Sequence, residues 1–193
     1  MRKIPCLFER DFTDKRRPVL LERVTPGCEW VLEGLGVASI KRDGTACAVI
    51  GGVLHARYDA KRGKAPPPGS VPCDPEPDPV TGHWPHWQPV GDEPHFRWHR
   101  EAWSQTMLAD GTYELCGPKI NGNPERLEAH VFFAHGSELI GVPRTFDGIR
   151  SRLLFMEHEG IVFRDGERFA KIRRDDFGMA WPCVEGGAVM AAK

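Results

Sequence analysis

The residues that most clearly suggest chemistry form the run Ser39-Ile40-Lys41-Arg42-Asp43-Gly44-Thr45, in which Asp-Gly follows a lysine after one residue. A lysine amine attacks an electrophile only when it is neutral, and nearby cations or a divalent metal lower its pKa toward that state. Gly44 allows a sharp backbone turn beside a ligand. By itself the K-x-D-G pattern is also typical of an ordinary exposed turn, so both interpretations are open at this point.

Further charged residues follow Lys41 in a definite order. They are an arginine, two glutamates and a basic pair, namely Arg57, Glu114, Glu159 and Lys171-Ile172-Arg173. Each of these residues is common by itself, but the whole series in this order is uncommon.

This order resembles the covalent nucleotidyltransferase superfamily of polynucleotide ligases and mRNA capping enzymes. K-x-D-G is similar to motif I, Glu159-Gly160-Ile161-Val162 to motif IV and Lys171-x-Arg173 to motif V. Four other stretches resemble the RNA ligase 1 family, the small 5′-to-3′ RNA ligases: residues 78–85, residues 113–124, His135-Gly136 and residues 170–178. The resemblance covers roughly residues 29 to 182.

The resemblance implies an ATP-dependent RNA ligase that works in RNA repair. Lys41 would form a covalent lysyl-AMP, AMP would pass to an RNA 5′-phosphate, and a 3′-hydroxyl would then displace AMP to form a phosphodiester. The implied cofactors are ATP and Mg²⁺, for which Mn²⁺ can substitute in this family. The implied partner is RNA with 5′-phosphate and 3′-hydroxyl ends.

The family assigns roles to individual residues. Lys41 and Lys171 are the expected catalytic lysines, and Lys171 with Arg173 would contact the α-phosphate. Arg57 would make a forked contact to phosphate or ribose. Glu114 would accept a hydrogen bond from a ribose hydroxyl.

Metal and base contacts follow from the same resemblance. Glu159 and Asp43 are the expected oxygen ligands for Mg²⁺. The Ile40 backbone would contact adenine, although ligases of this superfamily often carry an acidic residue there, which leaves the choice between ATP and GTP open. Phe133 is the candidate ring to stack on the base, with Phe132 and His135 as rivals and an ordinary core phenylalanine as the plain alternative.

Lys119, Trp84, Trp87 and Arg62 are the residues expected to contact RNA. Many relatives carry a C-terminal OB-fold that orients pyrophosphate, and too few residues follow Arg173 for one. Its role could be taken by Lys119, Arg62, Lys64 or the basic run at 15–17.

The elements that must position these residues read as an α+β pattern rich in antiparallel pairs. Strands are expected at 29–33, 37–40, 46–53, 54–58, 112–115, 129–134, 160–163 and 168–172, and a helix at 146–157. The resemblance makes residues 1–193 a single nucleotidyltransferase domain of the ATP-grasp-like ligase adenylation type, with antiparallel sheets flanking the nucleotide pocket.

A long insertion rich in proline, tryptophan and histidine is expected at about 61–100. Its proline-rich part should be extended. Its rings would stack on unpaired RNA bases or pin the loop to the domain as a small satellite core. The histidines at 83, 86, 95 and 99 also raise the possibility of zinc, although none is paired with a cysteine at ligand spacing.

Composition limits the remaining classes. The chain has 193 residues, a net charge of −1 and six cysteines without a C-x-x-C pair. We expect reduced thiols in a cytoplasmic protein, with no signal peptide, no membrane span and no obligate protein partner. A capping-type guanylyltransferase, a DNA ligase, a degenerate nucleotide-binding module and an RNA-binding module remain as alternatives.

Overall fold

A computed structural model describes residues 3–14, 18–79 and 81–183 of the chain. It contains eleven strands and three α-helices in these ranges. The strands are β1 Phe8–Asp11, β2 Val19–Val24, β3 Val37–Lys41, β4 Thr45–Ile50, β5 Val53–Ala60, β6 Val71–Pro72, β7 Trp84–Pro89, β8 Gly111–Cys116, β9 Val131–Ala134, β10 Gly160–Asp165 and β11 Arg168–Arg173. The helices are α1 Glu29–Leu32, α2 Arg97–Trp103 and α3 Phe146–Leu154.

Every pairing between these strands is antiparallel, and helices are few. The predicted α+β class is therefore confirmed. Among the ranges given above, no helix combines the length and the hydropathy needed to cross a bilayer.

The described residues form two compact units. One unit contains Lys3 and residues 43–135; its sheet has the order β6-β7-β5-β4-β8-β9, and we call it the six-stranded unit. The other contains residues 4–42 and 136–183; its larger sheet has the order β11-β10-β3, and we call it the three-stranded unit.

Each unit has its own apolar core. In the three-stranded unit, Ile149 and Leu153 of α3 and Met156 just after it pack into the core, and these are the residues whose spacing predicted the helix. The Thr145 hydroxyl caps α3 by accepting a hydrogen bond from the Gly148 amide at 3.1 Å. The core of the six-stranded unit is built on Cys47, Val49, Leu54, Tyr113, Leu115 and neighbouring residues.

The predicted strand at 29–33 is wrong, because Glu29–Leu32 is a helix. Trp30 and Val31 are neighbours in sequence and both are buried. A strand would point their side chains to opposite faces, whereas a short helical turn allows both to reach the same core. Burial has therefore outweighed the β propensity of this segment.

The segment 61–100 is only partly a loop, which corrects the predicted insertion. Trp84–Pro89 pairs with β5 over six positions, from Ala60↔Trp84 to His55↔Pro89. Helix α2 then begins at Arg97. The alternation of this segment was hidden by its prolines, and only pairing with β5 reveals it as a strand.

Candidate functional site

The two faces of the three-stranded sheet differ in chemistry. Ile40, Ile161 and Ile172 lie opposite one another on the three strands and point toward the core. The adjacent row consists of Lys41, Gly160 and Arg173, again directly opposite one another. Directly opposite residues share a face and successive residues alternate, so Lys41 and Arg173 lie on the face away from the isoleucines. Lys171, two residues before Arg173, lies on that same face.

Gly160 separates the two cationic side chains in this row. A Cβ at this position would collide with the Ile172 carbonyl oxygen and lie 2.9 Å from the Arg173 Cα. The glycine is therefore required by close packing of the β10 and β11 backbones.

Glu159 joins the cations at the start of β10. Its carboxylate contacts the Lys41 amine through Oε2, and its Oε1 lies 3.9 Å from Nη1 of Arg173. The side chains of Lys41 and Glu159 are 23% and 11% exposed, so water screens their attraction only in part. The Lys41 amine also donates to the Arg42 carbonyl oxygen at 3.3 Å.

The charges of Lys41, Arg173 and Glu159 also act on Lys171. Its pKa is lowered from the ordinary lysine value, first by burial and then by the positive charges of Lys41 and Arg173. The negative charges of Glu159 and Asp176 oppose this shift. The structure therefore gathers the predicted residues Lys41, Glu159, Lys171 and Arg173 into one cluster, which we call the lysine cluster.

Asp176 supports the lysine cluster at the end of β11. Its carboxylate accepts a hydrogen bond from the Arg173 amide at 2.8 Å and lies 3.4 Å from Nη2 of the same arginine. It also contacts the Arg10 guanidinium, and its side chain is only 3% exposed. Asp176 therefore fixes the position of Arg173, a role that no local sequence pattern indicates.

The six-stranded unit carries the other predicted nucleotide residues. Glu114 lies opposite Phe133 on β9 and Ala46 on β4, and Ala48 lies opposite His55 on β5. Directly opposite residues share a face of the sheet, and so do residues two apart along one strand. Arg57 is two residues after His55, and Ala48 is two residues after Ala46. Arg57, Glu114 and Phe133 therefore share one face of this sheet. The rival ring, Phe132, packs against the apolar core instead.

Both oxygens of Glu114 have partners within this unit. Oε1 accepts a hydrogen bond from the Gly44 amide at 3.1 Å, and Oε2 lies 2.9 Å from Nε2 of His135. His135, which the sequence suggested as a stacking ring, is thus a partner of the glutamate. Local sequence contains no signal for this contact, because the two residues meet only through the pairing of β8 with the end of β9.

Asp43 and Gly44 are held by a loop between β8 and β9. Asn121 donates from Nδ2 to Asp43 Oδ1 at 3.0 Å and to the Gly44 carbonyl oxygen at 2.7 Å. The Asp43 amide donates to Glu125 Oε1 at 3.1 Å. Asn121 has a positive φ of 48°, a conformation that asparagine tolerates better than most residues.

The interpretation of Gly44 changes with these contacts. A Cβ on Gly44 would collide with the Leu115 carbonyl oxygen and lie 2.7 Å from Cys116 Sγ. The glycine is needed for close approach to β8 rather than for a sharp turn beside a ligand.

The Ile40 backbone, which was predicted to contact adenine, has a partner for its amide. That amide donates to the Glu138 carbonyl oxygen at 2.9 Å.

The predicted RNA residues differ in accessibility. Lys119 and Arg62 are exposed, and Trp84 is half-buried with its Nε1 donating to the Asp74 carbonyl oxygen at 2.8 Å. Trp87 is 6% exposed and belongs to the core of its unit. A buried ring offers no face to a base, so Trp87 is not placed to stack on an RNA base. The basic run at 15–17 lies outside the described residues.

The zinc alternative finds no support in the part of the chain that the structure describes. No group of three or more histidine, cysteine, aspartate or glutamate residues is placed there to hold a metal ion. His86 is buried, with Nδ1 at 2.8 Å from the Trp84 carbonyl oxygen, and His99 is buried in the core. His83 and His95 are exposed.

The chain matches no protein-family model, and no curated protein matches its sequence significantly. Functional inference therefore depends on the arrangement of the residues themselves.

Proposed function

We propose that this chain is an ATP-dependent 5′-to-3′ RNA ligase that uses Lys41 as its nucleophile. The observation that carries the proposal is the lysine cluster, in which Lys41, Lys171 and Arg173 share one sheet face with Glu159 beside them. Three cations and a carboxylate at the ends of adjacent strands are suited to nucleotidyl transfer. The family resemblance of the short motifs points to the same chemistry.

The first step joins AMP to the protein. The neutral Lys41 amine attacks the α-phosphorus of ATP, an N–P bond forms, and the bond from that phosphorus to the bridging oxygen breaks. Pyrophosphate leaves with the electron pair, and the amine loses its second proton to solvent. Lys171 and Arg173 stabilise the negative charge that develops on the phosphate oxygens.

Two further displacements complete the proposed reaction. An oxygen of the RNA 5′-phosphate attacks the same phosphorus, the N–P bond breaks, and the Lys41 nitrogen takes up a proton from solvent as it leaves as the amine. An RNA 3′-hydroxyl then attacks the 5′-phosphorus, loses its proton and displaces AMP. Each step is an in-line displacement at phosphorus, so the same cations serve all three.

The lysine cluster fits a Mg²⁺ ion that arrives with nucleotide phosphates. Mg²⁺ is commonly held by one or two carboxylates together with substrate phosphates. Glu159 supplies one such carboxylate on the cationic face, where its oxygens lie beside Lys41 and Arg173. It is therefore the residue of this cluster that would hold the ion, which when bound adds positive charge beside the phosphates; Mn²⁺ has the same ligand preference. Asp43, whose Oδ1 accepts a hydrogen bond from Asn121, stays a predicted ligand.

The assignments in the six-stranded unit come from the resemblance. Arg57, Glu114 and Phe133 are proposed to contact the nucleotide, and exposed Lys119 and Arg62 together with Trp84 are proposed to contact RNA. The alignment of Arg57, Glu114 and Phe133 on one sheet face supports a shared role.

Intact-mass measurement after incubation with ATP and Mg²⁺ tests the proposal. Wild type is expected to gain the mass of one AMP, and Lys41→Ala is expected to gain none. Lys61→Ala, which removes an exposed lysine in a turn, is the matched control and should behave as wild type. The protein is first freed of any bound nucleotide, and GTP is tested in parallel.

A second assay follows the acceptor. Adenylylated protein is mixed with single-stranded RNA carrying 5′-phosphate and 3′-hydroxyl ends, and ligated product is expected. Absence of any adduct with ATP or GTP, in Mg²⁺ or Mn²⁺, would overturn the nucleotidyltransferase proposal. An adduct that joins DNA but not RNA would overturn only the choice of RNA.

A further inference from the structure

Both chain neighbours of Lys41 are held by a single residue, Glu138. The Ile40 amide donates to the Glu138 backbone carbonyl oxygen at 2.9 Å. On the other side, the Arg42 guanidinium forks onto the Glu138 carboxylate, with Nε to Oε2 at 2.9 Å and Nη2 to Oε1 at 2.5 Å. Glu138 therefore fixes the end of β3 immediately before and immediately after the lysine.

The forked contact has the properties of a rigid support. Two parallel hydrogen bonds between arginine and a carboxylate fix orientation as well as distance. The Arg42 side chain is only 14% exposed, so the ion pair is partly shielded from water and salt. A surface ion pair between two mobile side chains would give no comparable constraint.

The same guanidinium reaches the residue before Glu159. Arg42 Nη1 lies 3.5 Å from Nδ1 of His158. Arg42, which follows Lys41 in the chain, is thus placed against the residue that precedes Glu159, the carboxylate partner of Lys41. Its position in K-x-D-G is the unspecified x, so the sequence pattern assigned it no role.

We propose that Glu138, acting through Arg42 and the Ile40 amide, is a positioning residue for Lys41. This inference rests on the proposed function, since it names what aligns the nucleophile of that reaction. A lysine side chain has a flexible four-carbon stem, so its amine is aimed only as well as its backbone is held. Misplacement of a reacting group by about 1 Å can lower a rate about 100-fold.

Three variants separate positioning from general stability. Glu138→Gln keeps the shape and the backbone carbonyl but removes the charge, and Arg42→Lys keeps the charge but cannot fork. Asp165→Asn is the matched control, because it breaks another carboxylate–arginine pair of the same unit, Asp165–Arg168 at the β10–β11 turn. Thermal unfolding identifies any variant that is not folded at the assay temperature.

The first readout is the single-turnover rate of AMP adduct formation over a range of ATP concentrations. Glu138→Gln and Arg42→Lys are expected to lower the rate at saturating ATP by about tenfold or more, with the half-saturating ATP concentration changed by less than about twofold. Asp165→Asn should keep the wild-type rate. Unchanged rates in both test variants, or a loss confined to ATP affinity, would refute a positioning role.

The second readout needs no activity. Amide hydrogen exchange at Ile40 reports the hydrogen bond to Glu138, and both test variants are expected to speed it by about tenfold relative to the control. Wild type that gains no AMP would refute the proposed function, and the exchange rates would then decide this inference alone. Equal exchange rates of the Ile40 amide in wild type and all three variants would overturn the positioning role of Glu138.

Discussion

At the scale of the residue, the lysine cluster combines more cations than carboxylates. The described side chains that meet there are Lys41, Lys171, Arg173 and Arg10 on the positive side and Glu159, Asp175 and Asp176 on the negative side. Four cations against three carboxylates leave these side chains with an excess of positive charge. An anionic phosphate would relieve this excess, which is the physical reason to expect a nucleotide there.

Lys171 is expected to reduce the stability of the folded chain. Burial and two neighbouring cations lower its pKa, so keeping this ammonium charged costs the folded state free energy. Lys171→Met keeps the apolar stem without the charge. We expect it to raise the thermal unfolding midpoint and to slow AMP adduct formation by about 100-fold or more.

The increase in stability expected for Lys171→Met should depend on pH. A lysine whose folded-state pKa is lowered costs stability while it is protonated in both states, and the cost fades as pH rises toward the ordinary value of 10.5. The advantage of Lys171→Met should therefore shrink between neutral pH and pH 10.5. Lys61→Met, at an exposed position, is the control and should change neither the unfolding midpoint nor the rate of AMP adduct formation. A Lys171→Met variant that is less stable than wild type at neutral pH would contradict the argument.

At the scale of the element, strand pairing is what brings the cations together. Gly160 lies between Lys41 and Arg173, and its hydrogen atom leaves room for the β11 backbone. The loop after β8 adds a second constraint, because the Asn121 amide donates to both Asp43 and Gly44. Each residue of the segment 40–44 is therefore held by contacts within the unit to which it belongs.

Gly160→Ala is expected to destabilise the three-stranded unit by about 2 kcal/mol, because the added Cβ must push the β10 and β11 backbones apart. Gly141→Ala is the matched control, since a Cβ there meets no atom within 4 Å. The control should stay within about 0.5 kcal/mol of wild type. Urea unfolding followed by circular dichroism measures both, and equal midpoints for the two variants would contradict the packing argument.

At the scale of the whole molecule, two separate cores support the two units. The core of the three-stranded unit lies against the isoleucine face of its sheet, and the other core lies under β4 and β8. The six-stranded unit also buries His99, which is 8% exposed and finds no hydrogen-bond partner for either ring nitrogen among the residues that the structure describes. This histidine links the stability of the chain to pH.

Burial, followed by the charges of His95 and His130, lowers the pKa of His99 from 6.5 to about 4. Because the folded-state pKa is the lower one, the unfolded state binds the proton more readily, and stability falls as pH falls from about 6.5 to about 4. The full loss is about 3 kcal/mol. His99→Leu should remove this part of the pH dependence, as measured by urea midpoints between pH 7 and pH 4.

His83→Gln is the control for the histidine experiment, because His83 is half-exposed beside Asp59. It should keep the wild-type pH dependence in this range. Parallel curves for wild type and His99→Leu would show that His99 does not titrate as its burial implies.

Local patterns in the sequence predict the α+β class, the strands of the β4–β5 and β10–β11 pairs, helix α3, and the order of the charged residues. They do so because alternation along a strand and repetition along a helix involve residues close together in the chain. Ile40-Lys41 and Ile172-Arg173 each place an apolar residue beside a cation, which already requires the two to face opposite ways in a strand. The gathering of Lys41, Glu159, Lys171 and Arg173 then depends on the register of three strands distant in sequence. That register, the helix at Glu29–Leu32, and the supporting contacts of Glu138, Asn121 and His135 could not be predicted from local patterns, because each arises from residues that meet only when the chain has folded.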